Sequence, residues 1–592
     1  MSSQRSWQGY RCSGCLLIFV LLALPLSATT YYVDCNGANS NNGTSMSTPW
    51  QTIAKVNNSS FSPGDSVLFQ KTCTWRETLT VPSSGSTENV ITFGSYGSGA
   101  NPIIDGSIVA SSWTSAPVAI PNVWSISLAT QPNQVFLAST RATQAASVIA
   151  LTQHQWFWSS TTLYFYESAG NPDTVGDVIL ASQRNNCIDL NGNNYVTVQS
   201  IQCQYANQQG IYFSGASNTI VLDGVTSTKN YLNGVRSITS QVAQNITVQN
   251  GTFSWNGGSG ISIGKSSHDW LVQRNTVNNN SQYDMSPVAD QDFSSGIHAW
   301  CDDNSVTNLT IQYNDVYSNG VFPDGSRVTN GGSGAVGLGI WLDTIRASNY
   351  TSGSIVRYNR VHDNTIIGIN LEHAAFNQVY NNVEYGTVNG YGIMAGDYSH
   401  VSGGVHDNKI FNNTVYNNDN GDIHVMGSSG SDPNDCYNNL VENNIVLMGS
   451  GGPSLIAEKG GENDGTMGSG NVYIYNGFGP PTTGFIYWGT GVSKNTYAAF
   501  DSAYGSSTHS VSGDPLFTNA GGGNFTLQSS SPAIAAGTNL GSTYQMSLDP
   551  RTSFPWGTLN QDSQGSGWEI GAFAFVQQIP LAPPASLSAT VK

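Results

Sequence analysis

Two short stretches, GIWLDT at residues 339–344 and GINLEH at residues 368–373, share one pattern and decide the fold. Each begins with glycine and then alternates apolar residues with polar or aromatic ones. Because side chains of a β-strand alternate between its two faces, Trp341 and Asp343 would share one face of their strand. Asn370 and Glu372 take the same two places in the second stretch. The sequence thus predicts two matching strands, each carrying a carboxylate.

The pattern belongs to an irregular repeat between about residues 187 and 450, with steps of 24 to 43 residues. Further glycine-led segments are GIYFSG (210), GVRSIT (234), GISIGK (260), GIHAWC (296), GIMAGD (392) and GDIHVM (421). Asparagine-bearing segments alternate with them: VQRNTV (272), IQYNDV (311), VRYNRV (356), VYNNVE (379), IFNNTV (410) and VENNIV (441). Three short strands and three turns fill a step of about 24 residues, as in one coil of a β-solenoid.

This order favours an all-β, right-handed parallel β-helix over an antiparallel sandwich, which explains the alternation but not the fixed succession of the two segment types. We expect aliphatic side chains to stack inside the coils and asparagines to form ladders between equivalent turns. The low charged content of 10% and the 65 glycines suit short strands and polar turns better than helices.

The remaining segments suggest a division of the chain. Residues 1–28 form a predicted signal peptide, cleaved near Ala28, which implies export to a secreted or periplasmic location. The predicted parts after it are an N-terminal cap with the first coils (29–106), a small antiparallel β insertion (107–184), the central coils (185–476), C-terminal coils with a closing region (477–576) and a Pro-rich tail (577–592).

The segments YYVDCNGANSNNGTSMSTPWQTIAKVNNSSFSPGDSVLFQ (31–70) and GSGANPIIDG (97–106) resemble the capping region of secreted right-handed β-helix proteins of the pectin-lyase-like superfamily. SGDPLFTNAGGGNFTLQSSSPAIAAG (512–537) and GSGWEIGAFAF (565–575) are similar to the closing region of those proteins. The resemblance implies the fold and a carbohydrate-related role. It does not imply one reaction, because that superfamily includes lyases, hydrolases, epimerases, transferases and adhesins.

The formal charge is −17, and it becomes −19 once Arg5 and Arg11 leave with the signal peptide. Such a surface disfavours nucleic acid and anionic membranes as partners, and it disfavours polyanionic sugars unless a cation intervenes. We therefore expect a mainly neutral polysaccharide as partner, and a monomer.

Six cysteines follow the signal peptide. An exported chain permits disulfides, and the neighbours in sequence, Cys35 with Cys73 and Cys187 with Cys203, are the expected pairs. Cys301 and Cys436 are expected to be buried thiols. No cysteine or histidine spacing indicates a zinc site, and no cofactor is expected.

Aligning the glycine-led segments gives two outward columns of side chains. The first column is Tyr212, Arg236, Ser262, His298, Trp341, Asn370, Met394 and His424. The second is Ser214, Ile238, Gly264, Trp300, Asp343, Glu372, Gly396 and Met426. Asp343 and Glu372 are then neighbours on adjacent coils, about 4.8 Å apart. Two carboxylates at that spacing repel, so one keeps its proton near neutral pH, as glycosidic cleavage by a retaining enzyme requires.

The surroundings of this pair also suit a sugar. We expect the indoles of Trp300 and Trp341 to be exposed stacking platforms and Asn370 and His424 to supply hydrogen bonds. Further candidate catalytic residues are Asp302, Asp397 and His298, and long loops at about 280–295 and 318–337 would flank the site.

Three functions remain open at this point. The first is a glycoside hydrolase with Asp343 and Glu372 as the carboxylate pair. If it is retaining, Asp343 is the candidate nucleophile and Glu372 the candidate acid/base, but the sequence does not fix which is which, and Asp302 or Asp397 could replace either one. The second is a polysaccharide lyase or uronate epimerase, with Lys265 as base and Arg346 against the substrate. In that case Asp302, Asp343 and Glu372 would hold Ca²⁺. The third is a secreted β-helix that binds glycans or serves a structural role without catalysis.

Overall fold

The computed structural model describes residues 28–237, 240–282, 293–301, 307–328, 336–345, 353–396, 404–427, 436–448, 452–458, 470–489, 492–565 and 567–577. The predicted signal peptide up to residue 27 and the tail from residue 578 lie outside these ranges. Among the described residues, no helix is long and apolar enough to cross a lipid bilayer.

Each coil of the chain gives one strand to each of three long sheets, and equivalent strands of successive coils pair in parallel. The described strands of the first sheet are Thr30–Val33, Ser66–Gln70, Ile91–Tyr96, Val196–Gln199, Ser217–Asp223, Ala243–Gln249, His268–Gln273, Thr310–Gln312, Ile355–Arg357, Gln378–Tyr380, Lys409–Phe411, Leu440–Glu442 and Val472–Ile474. Those of the second sheet are Thr74–Trp75, Ile103–Asp105, Gln202–Gln204, Thr226–Thr228, Thr252–Ser254, Thr276–Asn278, Asp315–Tyr317, Arg360–His362, Val383–Tyr385, Thr414–Tyr416 and Ile445–Leu447.

The third sheet carries the glycine-led segments. Its described strands are Leu79–Thr80, Asn186–Asp189, Gln209–Phe213, Val235–Ser237, Ile261–Ile263, Ser294–Trp300, Val336–Asp343, Thr365–Glu372, Val388–Gly396, Gly421–Met426, Leu455–Glu458, Ile486–Trp488 and the antiparallel end strand Ser493–Lys494. The predicted parallel β-helix is confirmed.

The aliphatic residues that follow the glycines stack inside the solenoid. They occupy one register line of the third sheet and are fully buried: Ile211, Val235, Ile261, Ile297, Ile340, Ile369, Ile393 and Ile423. Burying an aliphatic side chain stabilises a fold by about 1.5–3 kcal/mol, so this column fixes which face of each strand points outward.

The predicted asparagine ladder is confirmed at the turn between the first and second sheets. Along the series, the backbone N–H and the side-chain Nδ2 of each asparagine donate to the Oδ1 of the next at 2.9–3.1 Å. The members are Asn275, Asn314, Asn359, Asn382, Asn413, Asn444 and Asn476. The chain turns here because the preceding residue, such as Tyr358 or Asn381, has a left-handed φ of 57° or 52°. The ladder therefore holds successive coils in one register.

The predicted insertion consists of two antiparallel sheets before the central coils. One sheet contains Thr140–Ala142, Val135–Leu137, Ile179–Ser182 and Ser107–Ala110. The other contains Trp156–Ser159, Thr162–Tyr166, Val123–Ser127 and Thr114–Ser115. Short helical segments elsewhere are Ile53–Asn57, Val148–Ala150, Pro172–Val175, Tyr497–Tyr504, Ala520–Gly522 and Gln561–Ser563.

The C-terminal segment folds back along the first and second sheets. It contains the hairpins Phe517–Asn519 with Asn524–Leu527 and Met546–Leu548 with Thr558–Asn560, while Val405–His406 pairs with Cys436–Tyr437 within the solenoid. Tyr544 donates to Gln378 Oε1 at 2.8 Å, and Tyr358 donates to the Met546 carbonyl at 3.2 Å. Phe525 packs against Tyr385 and Tyr416 of the second sheet, so the C-terminal segment covers part of the first and second sheets.

The cysteines divide differently from the prediction. The disulfide between Cys35 and Cys73 is confirmed. The predicted bond between Cys187 and Cys203 is wrong, because both are buried thiols on different sheets of the solenoid core. Cys301 and Cys436 are buried, as expected.

The ladder should contribute measurably to stability at a single rung. Asn382→Ala removes bonds to Asn413, Asn359 and the Val356 carbonyl from a fully buried position. Because buried partners left without hydrogen bonds are costly, we expect the free energy of unfolding in guanidinium chloride to fall by about 2–4 kcal/mol. Asn420→Ala removes one hydrogen bond from an exposed position and should change the free energy of unfolding by less than about 0.5 kcal/mol. Equal effects would contradict a stabilising ladder.

Candidate active site on the third sheet

The outward columns of the third sheet have the predicted register over the described coils. Trp341 pairs with His298 on one side and with Asn370 on the other, and Asp343 pairs with Glu372. The next coils continue the columns with Met394 and His424 and with Gly396 and Met426. Asp343 and Glu372 are therefore nearest neighbours across one pair of parallel strands, about 4.8 Å apart in the backbone.

Glu372 is the more enclosed of the two carboxyl groups, with a side chain 15% exposed. Burial, and after it the negative charge of Asp343, raises the pKa of Glu372 from 4.5 to about 7. Asn370 Nδ2 donates to Glu372 Oε2 at 3.3 Å, and His373 Nδ1 lies 4.0 Å from Oε1. These two neighbours favour the charged carboxylate and offset part of the rise in pKa. Glu372 is thus able to hold or release a proton near neutral pH.

Asp343 is more open, with a side chain 24% exposed. Thr344 Oγ1 donates to its Oδ1 at 2.8 Å, and His298 Nε2 lies 3.8 Å from its Oδ2, beyond hydrogen-bonding distance. Burial lowers the pKa of His298, so its imidazole is neutral at neutral pH and forms no ion pair with Asp343. The site thus contains Glu372, which retains its proton near neutral pH, beside the more accessible carboxyl group of Asp343.

The prediction of an exposed Trp341 indole is wrong. Trp341 is 1% exposed and stacks on the His298 imidazole with ring centroids 4.4 Å apart. Phe293 contacts the Trp341 ring at 5.9 Å and is 45% exposed, so it is the aromatic residue that the site presents to solvent. Phe293 lies within the long loop that the sequence assigns to the site. Trp341 acts as a floor beneath the pair, and its buried indole N–H lies near enough to Glu372 to influence the pKa of that carboxyl group.

Trp300 is partly exposed and lies one rung before Asp343. The ammonium group of Lys265 lies 5.8 Å from its ring, and the guanidinium group of Arg236 lies 5.9 Å from it. Lys265 and Arg236 therefore place two cations beside the ring of Trp300, in the coil before Asp343.

The other predicted residues are less accessible or not described. Asn370 is 1% exposed and His424 is 5% exposed, with its ring 4.5 Å from that of Tyr391, so neither offers an open hydrogen-bonding surface. Asp302, Asp397 and Arg346 lie outside the described residues.

The described side chains around Asp343 and Glu372 do not complete a set of metal ligands. In the described ranges, the group of three possible ligands that lie close together is Asp34 with Cys35 and Cys73, whose sulfurs are already bonded to each other. Asp343 and Glu372 belong to no such group there. The lyase hypothesis would have to recruit Asp302 as the third ligand.

Comparisons with known proteins agree with this architecture. A family model described as a right-handed beta helix region matches residues 186–335. Similar solved structures include XylC in complex with xylose (14% identity, 72% of this chain and 76% of that chain, TM-score 0.49). They also include the GH136 lacto-N-biosidase from Eubacterium ramulus (14%, 75% and 65%, 0.43) and the pectate lyase Pel9A (13%, 93% and 97%, 0.42). This chain thus spans slightly less than two thirds of that lacto-N-biosidase. No curated protein matches the chain. The description of the family model agrees with the parallel β-helix that the structure has over those residues.

The raised pKa of Glu372 makes a prediction about stability. The pKa of Glu372 is about 7 in the folded protein and near 4.5 in the unfolded chain. The contribution of this group to the free energy of unfolding is therefore fully present below about pH 4.5 and is lost as the pH rises through 7. Glu372→Gln should therefore be more stable than the wild type near pH 8, by about 3 kcal/mol at most, with no such gain near pH 4.

Thermal unfolding of both proteins across this pH range measures the difference. Glu88→Gln, which removes an exposed carboxyl group, is the matched control and should leave the pH dependence unchanged. A Glu372→Gln variant with no advantage at about pH 8 would show that the carboxyl group is not held in its neutral form.

Proposed function

We propose that the protein is a glycoside hydrolase of the retaining type that cleaves a mainly neutral polysaccharide at the third sheet. One observation carries the proposal: Asp343 and Glu372 face each other across adjacent strands, with the pKa of Glu372 at about 7. Retaining glycosidases use two carboxyl groups about 5–5.5 Å apart, and inverting enzymes hold them at about 6.5–9.5 Å. The strand spacing of about 4.8 Å favours the retaining arrangement.

The environments assign the two roles. Glu372, protonated in its buried position, gives its proton to the glycosidic oxygen while a carboxylate oxygen of Asp343 attacks the anomeric carbon. The bond between that carbon and the leaving sugar breaks, and a glycosyl ester forms on Asp343. Glu372, now ionised, takes a proton from water, whose oxygen attacks the same carbon and releases Asp343. The anomeric carbon then carries a hydroxyl group in place of the leaving sugar, and Glu372 is protonated again.

The other side chains fit this chemistry. Phe293 offers an exposed ring on which the apolar face of a sugar can stack. Trp341 and Asn370 are buried beside Glu372, and their N–H groups favour its charged form, so they moderate the rise in pKa that burial causes. His298 is neutral and packs against Trp341, so it holds the floor of the site in place.

A second candidate function is elimination from, or epimerisation of, a uronate-containing chain. The specific observation in its favour is the pair of cations, Lys265 and Arg236, at the ring of Trp300, one rung from Asp343. Lys265 would then be the base, and the carboxylates would hold Ca²⁺ with Asp302 as the third ligand.

Conservative variants test the hydrolase. We expect Asp343→Asn and Glu372→Gln each to lower kcat on a neutral polysaccharide by about 10³-fold or more with KM little changed, because they remove groups that act in the transition state. Asp223→Asn, an outward carboxylate on the first sheet, is the matched control and should retain full activity. Added azide should restore turnover in Asp343→Asn as a glycosyl azide.

Products distinguish the candidates. New reducing ends without ultraviolet-absorbing unsaturated ends support hydrolysis. Unsaturated ends that disappear when a chelator is added, and that Lys265→Gln does not produce, would show that the reaction is elimination and not hydrolysis. Full activity of both carboxyl variants would place the reaction elsewhere.

A further inference from the structure

A cavity separate from the third-sheet site lies between the antiparallel insertion and the turns that lead from the second sheet to the third. Its volume is about 750 Å³, and no residue of the Asp343–Glu372 site lines it. Cavities of about 300–1,000 Å³ are the usual size for binding small molecules. Its walls come from residues 133–144 of the insertion and from solenoid residues around Lys229 and Trp255.

Aromatic residues form much of the wall. Trp255 is partly exposed and occupies a turn position with a left-handed φ of 58°, and Tyr231 and Phe136 lie beneath the surface. Flat apolar rings beside polar groups are the type of wall on which a sugar stacks.

Two cations line the same space. Lys229 Nζ donates to the Ser139 carbonyl at 2.8 Å, and the Arg141 guanidinium lies over the Phe136 ring at 5.6 Å. Burial, and after it the positive charge of Arg141, lowers the pKa of Lys229. None of the described lining residues is Asp or Glu. In a chain with 37 acidic and 20 basic residues, this wall has the opposite charge to the molecule as a whole.

Gln134 connects the cavity wall to the solenoid. It lines the cavity and is 1% exposed, and its Nε2 donates to the carbonyls of Ala206 and Lys229 at 2.9 Å each. These bonds hold the insertion against the turn that carries Lys229.

We propose that this cavity binds a carboxylate-bearing sugar unit, a uronate within a glycan. The ring of Trp255 takes the apolar face of the sugar, and Lys229 and Arg141 take its carboxylate. The inference is independent of the hydrolase proposal, because binding is measured without turnover.

Calorimetry with tetragalacturonate and with its carboxyl-reduced form tests the proposal on the full-length protein. The wild type should bind the acidic ligand about tenfold or more tightly than the reduced one, as charge-assisted hydrogen bonds provide. Lys229→Gln and Arg141→Gln should each weaken binding of the acidic ligand by about tenfold and leave binding of the reduced form unchanged. Trp255→Ala should weaken both ligands. Arg551→Gln, which changes an exposed arginine of the C-terminal segment, should bind as the wild type does.

Thermal unfolding of each variant confirms that the fold is kept, and Lys229→Gln retains a side-chain donor for Ser139. Equal binding of the two ligands by the wild type would overturn the proposal. So would the absence of binding at millimolar ligand, or cation variants that bind as the wild type does, which would place the ligand elsewhere.

Discussion

The rest of the structure depends on the coil-to-coil register of the third sheet, in which each side chain lies directly above its equivalent in the next coil. Hydrogen-bonded strands repeat at about 4.8 Å, and a slip of one residue would exchange the inner and outer faces. The fully buried isoleucines of one column and the asparagine ladder at a different corner of the coil both hold this register. Two carboxyl groups that repel each other are kept together because separating them would disrupt this packing.

The site then takes its chemistry from unequal burial of two neighbours. Glu372 is enclosed by Trp341 and Asn370, and burial is the largest cause of its raised pKa; Asp343 is more open and adds its charge as the second cause. A symmetrical pair would share a proton without assigned roles. Under the proposed function, the asymmetry of the environment would make Glu372 the acid and leave Asp343 to act as nucleophile.

The sequence was sufficient to predict the coils, the inward and outward columns and the neighbours of Asp343, because strand alternation is a local property and the glycine-led segments repeat it. It could not predict how much of each outward residue would be covered, since this depends on loops and neighbouring rungs. Trp341 is therefore buried where an exposed platform was predicted, and the exposed ring belongs to Phe293. Cys187 and Cys203 are close in sequence, but their sheets fix the positions of their sulfurs, and disulfide geometry is specific. The sequence also did not predict the cavity at Trp255, because its walls come from the insertion and from several coils that are far apart in the chain.

The central claim is that Asp343 and burial together hold the Glu372 proton near neutral pH. Carbon-13 NMR titration of glutamate-labelled protein, with the Glu372 resonance assigned by its loss in Glu372→Gln, measures this directly. We expect a pKa of about 7 in the wild type and a lower value in Asp343→Asn that stays above 4.5, since burial remains. A value near 4.5 in both proteins would contradict the account.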